Sequence, residues 1–153
     1  MLQYSSEDLY VETNEKVQFI DITKNVQEAV SKLKILNGVL MMHNMHTTSG
    51  IWINEKEGGL LKDMKKKLEK FAGDNEYYEH DDFKIRTDNL LEDGNERENA
   101  QAHLRSTFFN TSISISVKDS KLDLGKWQSI MYAELDGPQK RRVKIIAIGD
   151  FKD

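Results

Sequence analysis

The chain of 153 residues contains no cysteine, so neither a disulfide framework nor a thiolate-bound metal ion can occur in it. Any metal ion would have to be bound by histidine, carboxylate or backbone oxygen atoms. Proline occurs once, at Pro138, and no repeat or low-complexity linker divides the chain. One hydrophobic core is usual at this length, so we predict a single domain over residues 1–153.

A large excess of either charge and a long hydrophobic run are also missing. The 22 basic and 26 acidic residues are mixed along the chain and give a formal net charge of -4. This mixture offers no basic surface to a nucleic acid or an anionic membrane. No apolar run approaches the roughly 20 residues of a membrane-spanning helix, and the N-terminal segment has acids where a signal peptide would be basic and then apolar. We therefore predict a cytoplasmic protein with no nucleic-acid partner and no membrane partner.

The apolar residues recur with two periods, which together predict an α+β fold. Alternation with polar residues indicates strands at 2–13, 16–22, 126–135 and 141–148, and the first and last pairs are each predicted to form a hairpin. The clearest strand is TSISISV at 111–117, in which serine alternates with isoleucine and valine.

Helical spacing appears in three further segments. Asn25 followed by Glu28 resembles a capping box, and the apolar residues behind it share one helix face. Those residues are Val26, Ala29, Val30 and Leu33. A second amphipathic helix follows Gly58-Gly59, and a third is predicted at 97–108. The polar segment 73–95 between them is long for a compact domain, which indicates a functional or a disordered connection.

Three of the four histidines lie where the predicted structure changes. His46 lies between two apolar runs predicted as strands, His80 lies in the polar segment, and His103 lies on one face of the third helix. Neutral imidazoles bind zinc and similar ions, and three protein ligands with an open position are typical of catalytic sites. The spacing also allows ordinary histidines bonded to the backbone. His43 is left out, because strand alternation directs it to the other side from His46.

Other polar residues are candidates for the same site. If the strands before and after His46 form a hairpin, Asn54-Glu55 comes near it, and Glu55 could then orient a ligand or act as a general base. A solvated strand end is the alternative. Arg142 offers a planar donor to an anion such as phosphate. Trp127-Gln128 lies on a predicted core strand, where an aromatic residue more often packs than contacts a ligand.

Several motifs occur together in a fixed order. They are IDIT at 20–23, HTTSGIWINE at 46–55, YYEH at 77–80, NAQAH at 99–103, LDLGKWQSI at 122–130 and ELDGP at 134–138, followed by Arg141-Arg142. In this order and spacing they resemble the YjbQ family, often described as secondary thiamine-phosphate synthase-like proteins. The resemblance covers nearly the whole chain.

The resemblance implies both a fold and a site. The fold is a β-sandwich-like core of antiparallel and mixed strands flanked by about three helices, assembled as a homotrimer. The resemblance places His46, His80 and His103 on the family's histidine positions, with Asn54, Glu55 and Asn99 beside them. For the site we predict the three histidines as metal ligands and Asn54, Glu55 and Asn99 as catalytic residues. Trp127, Gln128 and Arg142 are predicted as contacts to the substrate or anion.

The chain departs from the family pattern in its turns. Glu98 stands where a proline is expected, Asn110 where a glycine is expected, and Ser116 and Ser120 where a proline and a glycine are usual. These differences predict altered loop geometry and leave the histidines unchanged.

Three functions follow as alternatives, each with a small phosphorylated molecule or anion as partner. The first is a transferase that joins a pyrimidine diphosphate to a thiazole phosphate. An all-histidine metal site fits this reaction poorly, because magnesium prefers oxygen ligands, so the expected divalent ion is zinc or another ion that prefers imidazole. The second is a metal-dependent hydrolase of a small phosphate ester. The third is a non-catalytic trimer that binds a small anion or a metal.

Overall fold

The computed structural model describes residues 3–152, which form eight strands, three α-helices and one short 3₁₀ helix. In chain order these are β1 (Gln3–Glu12), β2 (Gln18–Asp21), α1 (Thr23–Leu33), β3 (Ile35–Asn44), β4 (Ser49–Asn54), α2 (Gly58–Phe71), the 3₁₀ helix (Glu79–Asp81), α3 (Ala100–Ser106), β5 (Ser112–Lys118), β6 (Lys121–Leu122), β7 (Ser129–Glu134) and β8 (Lys140–Phe151). Within these residues no helix has the length and apolar character needed to cross a bilayer.

Two sheets face each other across a shared core. The larger sheet has the order β1-β8-β3-β5-β6, the smaller has the order β2-β7-β4, and every described strand pair is antiparallel. The core draws on both sheets, for example through Leu40 and Ile145 of the larger and Ile51 and Tyr132 of the smaller. The predicted α+β fold, with a sandwich-like core and three α-helices, is confirmed.

The two predicted terminal hairpins are wrong, although their strands exist. β1 pairs with β8 and β2 pairs with β7, so each predicted hairpin is divided between the two sheets. The two crossing connections run side by side, since the N–H of Thr13 donates to the carbonyl of Gln139 and that of Gly137 to the carbonyl of Lys16, both at 3.0 Å. Pairing of β1 with β8 and of β2 with β7 therefore replaces pairing across each turn.

The helix α1 buries the predicted face but begins differently. Val26, Ala29 and Val30 are buried against the sheets. The predicted capping box at Asn25 and Glu28 is wrong, because the helix already begins at Thr23 and has no side-chain cap at Ile22.

The other two helices also follow their apolar pattern, with different ends. In α2 the buried residue is Leu68, and the Glu57 side chain caps the helix by accepting from the N–H groups of Gly59 and Leu60 at 2.7 Å. The third helix occupies only Ala100–Ser106 of the predicted 97–108. The segment before it contains the 3₁₀ helix that carries His80.

The turn between β5 and β6 contains Ser120, where the family pattern has a glycine. Asp119 and Ser120 have φ values of 50° and 60°, in the left-handed region. Both support this turn with hydrogen bonds, since the N–H of Asp119 donates to Oδ1 of Asn37 and the hydroxyl of Ser120 donates to the carbonyl of Ile35. These contacts with the neighbouring strand hold the strained backbone in place.

Candidate functional site

A cavity of about 660 Å³ lies between the β3–β4 connection and α3. Its walls are His43, Asn44, Met45, His46, Thr47, Ser49, His103, Ser106, Thr107, Phe109 and Thr111. The structure thus brings His46 and His103 to one cavity, which we call the histidine cavity. His80 lies outside its walls and lines a smaller cavity of about 290 Å³ with Arg86.

The connection that carries His46 is held by a buried amide. The Asn44 Nδ2 group donates to the carbonyl oxygens of His46 at 2.8 Å and Ser49 at 2.9 Å. Its Oδ1 accepts from the Ser49 hydroxyl at 3.2 Å and from the Tyr132 hydroxyl at 3.1 Å. Burial raises the pKa of Tyr132 to about 12, so this hydroxyl stays protonated and able to donate. The Asn44 side chain therefore fixes two backbone carbonyls around His46, and the two hydroxyls in turn hold the Asn44 amide.

The His46 ring is held in one neutral form. Its Nε2 atom accepts a hydrogen bond from the backbone N–H of Arg142 at 2.8 Å, so the proton of the neutral ring lies on Nδ1. Burial and the positive charges of Arg141 and Arg142 lower the pKa of His46, against an opposing effect of the Glu134 carboxylate. At neutral pH His46 offers an N–H donor.

A buried ion pair lies beneath this segment. Glu134 is 0% exposed and Arg141 is 3% exposed, and the guanidinium donates to both carboxylate oxygens, with Nε to Oε2 at 2.7 Å. Burial alone would raise the pKa of Glu134, but the hydrogen bonds and charge of Arg141 hold it below its ordinary value. Thr48 accepts from Arg141 at 3.0 Å, and Thr13 donates to Glu134 at 2.9 Å. Arg141 is thus engaged inside the fold, and Arg142 carries the exposed charge beside His46.

His80 and His103 are direct neighbours. Their ring centroids are 4.8 Å apart in an edge-to-face arrangement. Burial lowers the pKa of His103, and the nearby His80 and Arg86 lower it further. The Arg86 guanidinium lies 3.4 Å from Nε2 of His80 and also donates to its carbonyl oxygen.

Asn99 holds the entry to α3 beside this pair. Its Nδ2 group donates to Oδ2 of Asp136 at 2.9 Å, and its backbone N–H donates to Oδ1 of Asp81 at 3.0 Å. Arg97 also donates to the Asp136 carboxylate at 3.0 Å. The Asn99 side chain therefore ties the polar segment to the β7–β8 connection.

The three histidines do not fit a common metal ion in this arrangement. Among residues 3–152, no group of three or more histidine and carboxylate side chains is placed to hold one. The Nε2 atom of His46 is already occupied by the Arg142 N–H, and ligation through Nδ1 would require a change of tautomer that breaks this bond. The divalent ion expected at His46, His80 and His103 stays a prediction.

Four candidate residues lie at the other end of the smaller sheet. β4 pairs with β7 so that Ser49 is opposite Glu134 at one end and Asn54 is opposite Ser129 at the other, roughly 17 Å away along the strand. The expected approach of Asn54 and Glu55 to His46 required a hairpin of β3 with β4. That hairpin is wrong, because β3 and β4 belong to different sheets.

Trp127 and Gln128 precede β7 at this far end. The predicted strand began at residue 126, whereas β7 begins at Ser129. Trp127 is 66% exposed with the Lys126 ammonium 4.8 Å from its ring centre. Gln128 closes a turn by accepting from the N–H of Gly125 at 2.7 Å. Within one chain the structure does not bring either residue to the histidine cavity.

The prediction that His43 lies on the other side from His46 is also wrong. His43 lines the histidine cavity together with His46, and its Nδ1 lies 2.6 Å from the Ser112 hydroxyl. Strand alternation was extended past the end of β3 at Asn44, where it no longer applies.

Sequence reasoning missed the side chains that hold the site, namely Asn44, Thr48, Ser49, Tyr132 and Glu134. A signal for one of them was present. Asn44 shares its strand face with Leu40 and Met42, which are buried, so a polar residue on a core face pointed to a buried hydrogen-bonding role.

The fold and the cavity define an α+β protein of two antiparallel sheets with a histidine-lined cavity beside one edge of the sandwich. Residues 7–150 match the family model described as UPF0047 protein YjbQ-like. The chain therefore belongs to the YjbQ-like UPF0047 family, as the motifs indicated.

Relatives of known sequence and structure match over nearly the full chain. A UPF0047 protein of Methanothermobacter thermautotrophicus is 35% identical over 97% of this chain and 94% of its own length. The UPF0047 protein YugU of Bacillus subtilis is 30% identical over 92% and 97% of the two chains. The crystal structure of a YbjQ-like protein of unknown function from Sulfolobus solfataricus has a TM-score of 0.81 and 32% identity, covering 98% of this chain and 100% of that one.

Proposed function

We propose that this protein binds a small phosphorylated molecule in the histidine cavity, and that hydrogen-bond donors hold the phosphate. The observation that supports this most directly is the Arg142 N–H bonded to Nε2 of His46, which leaves Nδ1–H as a donor. Neutral donors held in fixed positions are well suited to phosphate oxygens, because they need little reorganisation when the anion arrives.

The hydroxyl groups on the wall of the histidine cavity differ in whether their proton is already used in a hydrogen bond. The hydroxyls of Ser106 and Thr107 already donate to the carbonyl oxygens of His103 and Leu104. The hydroxyls of Thr47 and Thr111 make no hydrogen bond in the described part of the chain, so they remain available. The phosphate is therefore expected to lie towards the Thr47 and Thr111 side of the cavity.

Positive charge adjoins this cavity on β8. Arg142 and Lys144 both face Asp8, at 3.8 Å and 3.6 Å. One carboxylate faces two cations, so a positive charge remains beside His46. This excess supports the role of Arg142 as an anion contact.

For the reaction, we propose the transfer that the family resemblance implies, the joining of a pyrimidine diphosphate to a thiazole phosphate. The thiazole ring nitrogen bonds to the carbon that carried the diphosphate, and the diphosphate leaves with the electron pair of the broken bond. The donors of the histidine cavity would stabilise the charge on the departing diphosphate. Metal-dependent hydrolysis is less well supported, because the described residues do not supply a three-ligand site.

The test is a calorimetric titration of the protein with the thiazole phosphate. His46→Ala removes the donor and is expected to weaken binding about tenfold, the usual effect of one hydrogen bond to a charged group. His80→Ala is the matched control, because His80 lies outside the cavity wall. If His80→Ala weakens binding of the thiazole phosphate more than His46→Ala does, the phosphate lies beside Arg86 and the proposal is contradicted.

Adding the pyrimidine diphosphate to the bound protein then tests the reaction. Formation of thiamine phosphate that is lost in His46→Ala supports the transferase. Binding without formation of product would support the third alternative, a non-catalytic protein that binds the phosphorylated molecule.

We also propose the homotrimer that the resemblance implies. Three apolar side chains form an exposed row across the outer face of the larger sheet, because Ile148 of β8 is the register partner of both Tyr4 of β1 and Val39 of β3. They are 38%, 64% and 47% exposed, respectively. Contact between copies of the chain would remove this row from water.

Ile148→Lys is expected to dissociate this trimer, because it places a charge in the middle of the buried row. Asn25→Lys, which adds the same charge at an exposed position of α1, is expected to leave the assembly intact. Light scattering during size-exclusion chromatography measures both masses. A monomeric parent at micromolar concentration would contradict the trimer, and a trimeric Ile148→Lys variant would contradict this surface.

A further inference from the structure

A second cavity, of about 330 Å³, lies between β4, α2 and the end of α3. Its walls are Trp52, Asn54, Met64, Lys67, Leu68, Phe108 and Phe109. We call it the aromatic cavity. Phe109 lines both this cavity and the histidine cavity.

The apolar wall is a packed aromatic cluster in which one ring, that of Phe108, is exposed. The Trp52 and Phe109 ring centroids are 4.8 Å apart, and Phe19 lies behind Trp52 at 5.2 Å. Phe108, by contrast, is 61% exposed and is supported from one side by the edge of Phe71 at 4.7 Å. A planar ring entering this space would stack on or meet the edges of prearranged aromatic groups.

The polar groups of the aromatic cavity are donors that have no acceptor. Oδ1 of Asn54 accepts from the N–H of Glu55 at 2.8 Å, which leaves its Nδ2 group unpaired. Lys67 has no carboxylate within ion-pair distance in residues 3–152, whereas Lys66 pairs with Asp63 at 3.9 Å. The indole N–H of Trp52 is buried and likewise has no acceptor among the described residues. The amide and the ammonium together favour a ligand that carries acceptor atoms and negative charge.

We infer that the aromatic cavity is a second binding site, separate from the proposed phosphate site, which takes a small planar aromatic carboxylate. The ring of the ligand lies among Trp52, Phe108 and Phe109. Its carboxylate lies at the rim, where Nδ2 of Asn54 and the Lys67 ammonium donate to it. Cavities of this size with apolar walls and a few convergent polar groups are typical of small-molecule sites.

The two tryptophans make a direct test possible. In a Trp127→Phe background, Trp52 is the only tryptophan and reports on the aromatic cavity by its fluorescence. Titration with 2-naphthoate is expected to change this fluorescence in a saturable manner. Lys67→Gln is expected to weaken binding about tenfold, by loss of a charge-assisted hydrogen bond, while Lys66→Gln, the same substitution one residue earlier, leaves the affinity unchanged.

Two further variants distinguish binding in the aromatic cavity from binding elsewhere on the protein. Phe108→Ala should weaken 2-naphthoate binding without changing the assembly state, and His46→Ala should have no effect on it. The inference is overturned if 2-naphthoate does not bind, or if Lys67→Gln and Lys66→Gln bind equally. It is also overturned if His46→Ala weakens binding as much as Lys67→Gln does, or if Phe108→Ala alters the oligomer, which would make this surface a subunit contact.

Discussion

Glu134→Gln is expected to destabilise the fold by about 3–5 kcal/mol, because it breaks a buried ion pair. The neutral amide leaves the Arg141 guanidinium buried without its counter-charge, since both side chains are almost fully removed from water. The same carboxylate accepts from the backbone N–H groups of Leu135 and Asp136, both at 2.9 Å, so the turn after β7 loosens as well.

Urea unfolding measures this effect, and Glu12→Gln is the control. The Glu12 side chain is exposed at the end of β1 with Lys140 at 3.8 Å, so its loss should change the free energy of unfolding by less than about 0.5 kcal/mol. Arg141→Met alone should be as damaging as Glu134→Gln, whereas the Glu134→Leu, Arg141→Met double variant should recover part of the loss. If the double variant loses as much stability as Glu134→Leu and Arg141→Met lose when each is measured alone and the two losses are summed, the pair does not act as a unit.

The same carboxylate should make the stability depend on acid. The pKa of Glu134 in the folded protein lies below its ordinary value of 4.5. As the pH falls, the unfolded chain therefore takes up this proton before the folded chain does. The stabilisation is complete above pH 4.5 and is lost as the pH falls through the folded-state pKa. In Glu134→Gln, this part of the acid sensitivity should disappear.

The elements of the fold were predictable because their signals are local. The alternation in TSISISV and the spacing of Val26, Ala29 and Val30 each encode one buried face, and the structure has the strand and the helix there. The pairing of strands was not predictable in this way. Nothing in the alternation of β1 distinguishes β2 as its partner from β8, which lies more than a hundred residues away.

The predictions about the site were wrong where they depended on which strands pair. Asn54 and Glu55 were expected beside His46 through a hairpin, and the separation of β3 from β4 into two sheets sends them to the opposite end. His46 and His103 share a cavity because α3 packs against β4, a tertiary contact that sequence spacing does not encode.

Asn44→Ala is expected to cost about 2–4 kcal/mol of stability, because it leaves several buried hydrogen-bonding groups unpaired. Those groups are the carbonyl oxygens of His46 and Ser49 and the donating hydroxyl of Ser49. Tyr132→Phe removes only the hydroxyl, whose single proton is shared between Asn44 and Ser49, so it should cost about 1–2 kcal/mol. Urea unfolding of the two variants gives this comparison.

Binding of the thiazole phosphate shows whether Asn44 also positions His46. Because Asn44 fixes the backbone of His46 without directing a proton towards the ligand itself, its loss should weaken binding about as much as His46→Ala does, roughly tenfold. The double variant Asn44→Ala, His46→Ala should then bind no more weakly than His46→Ala alone, since both substitutions remove the same contact. Additive losses would mean that Asn44 acts on the ligand directly, and unchanged affinity in Asn44→Ala would restrict its role to stability.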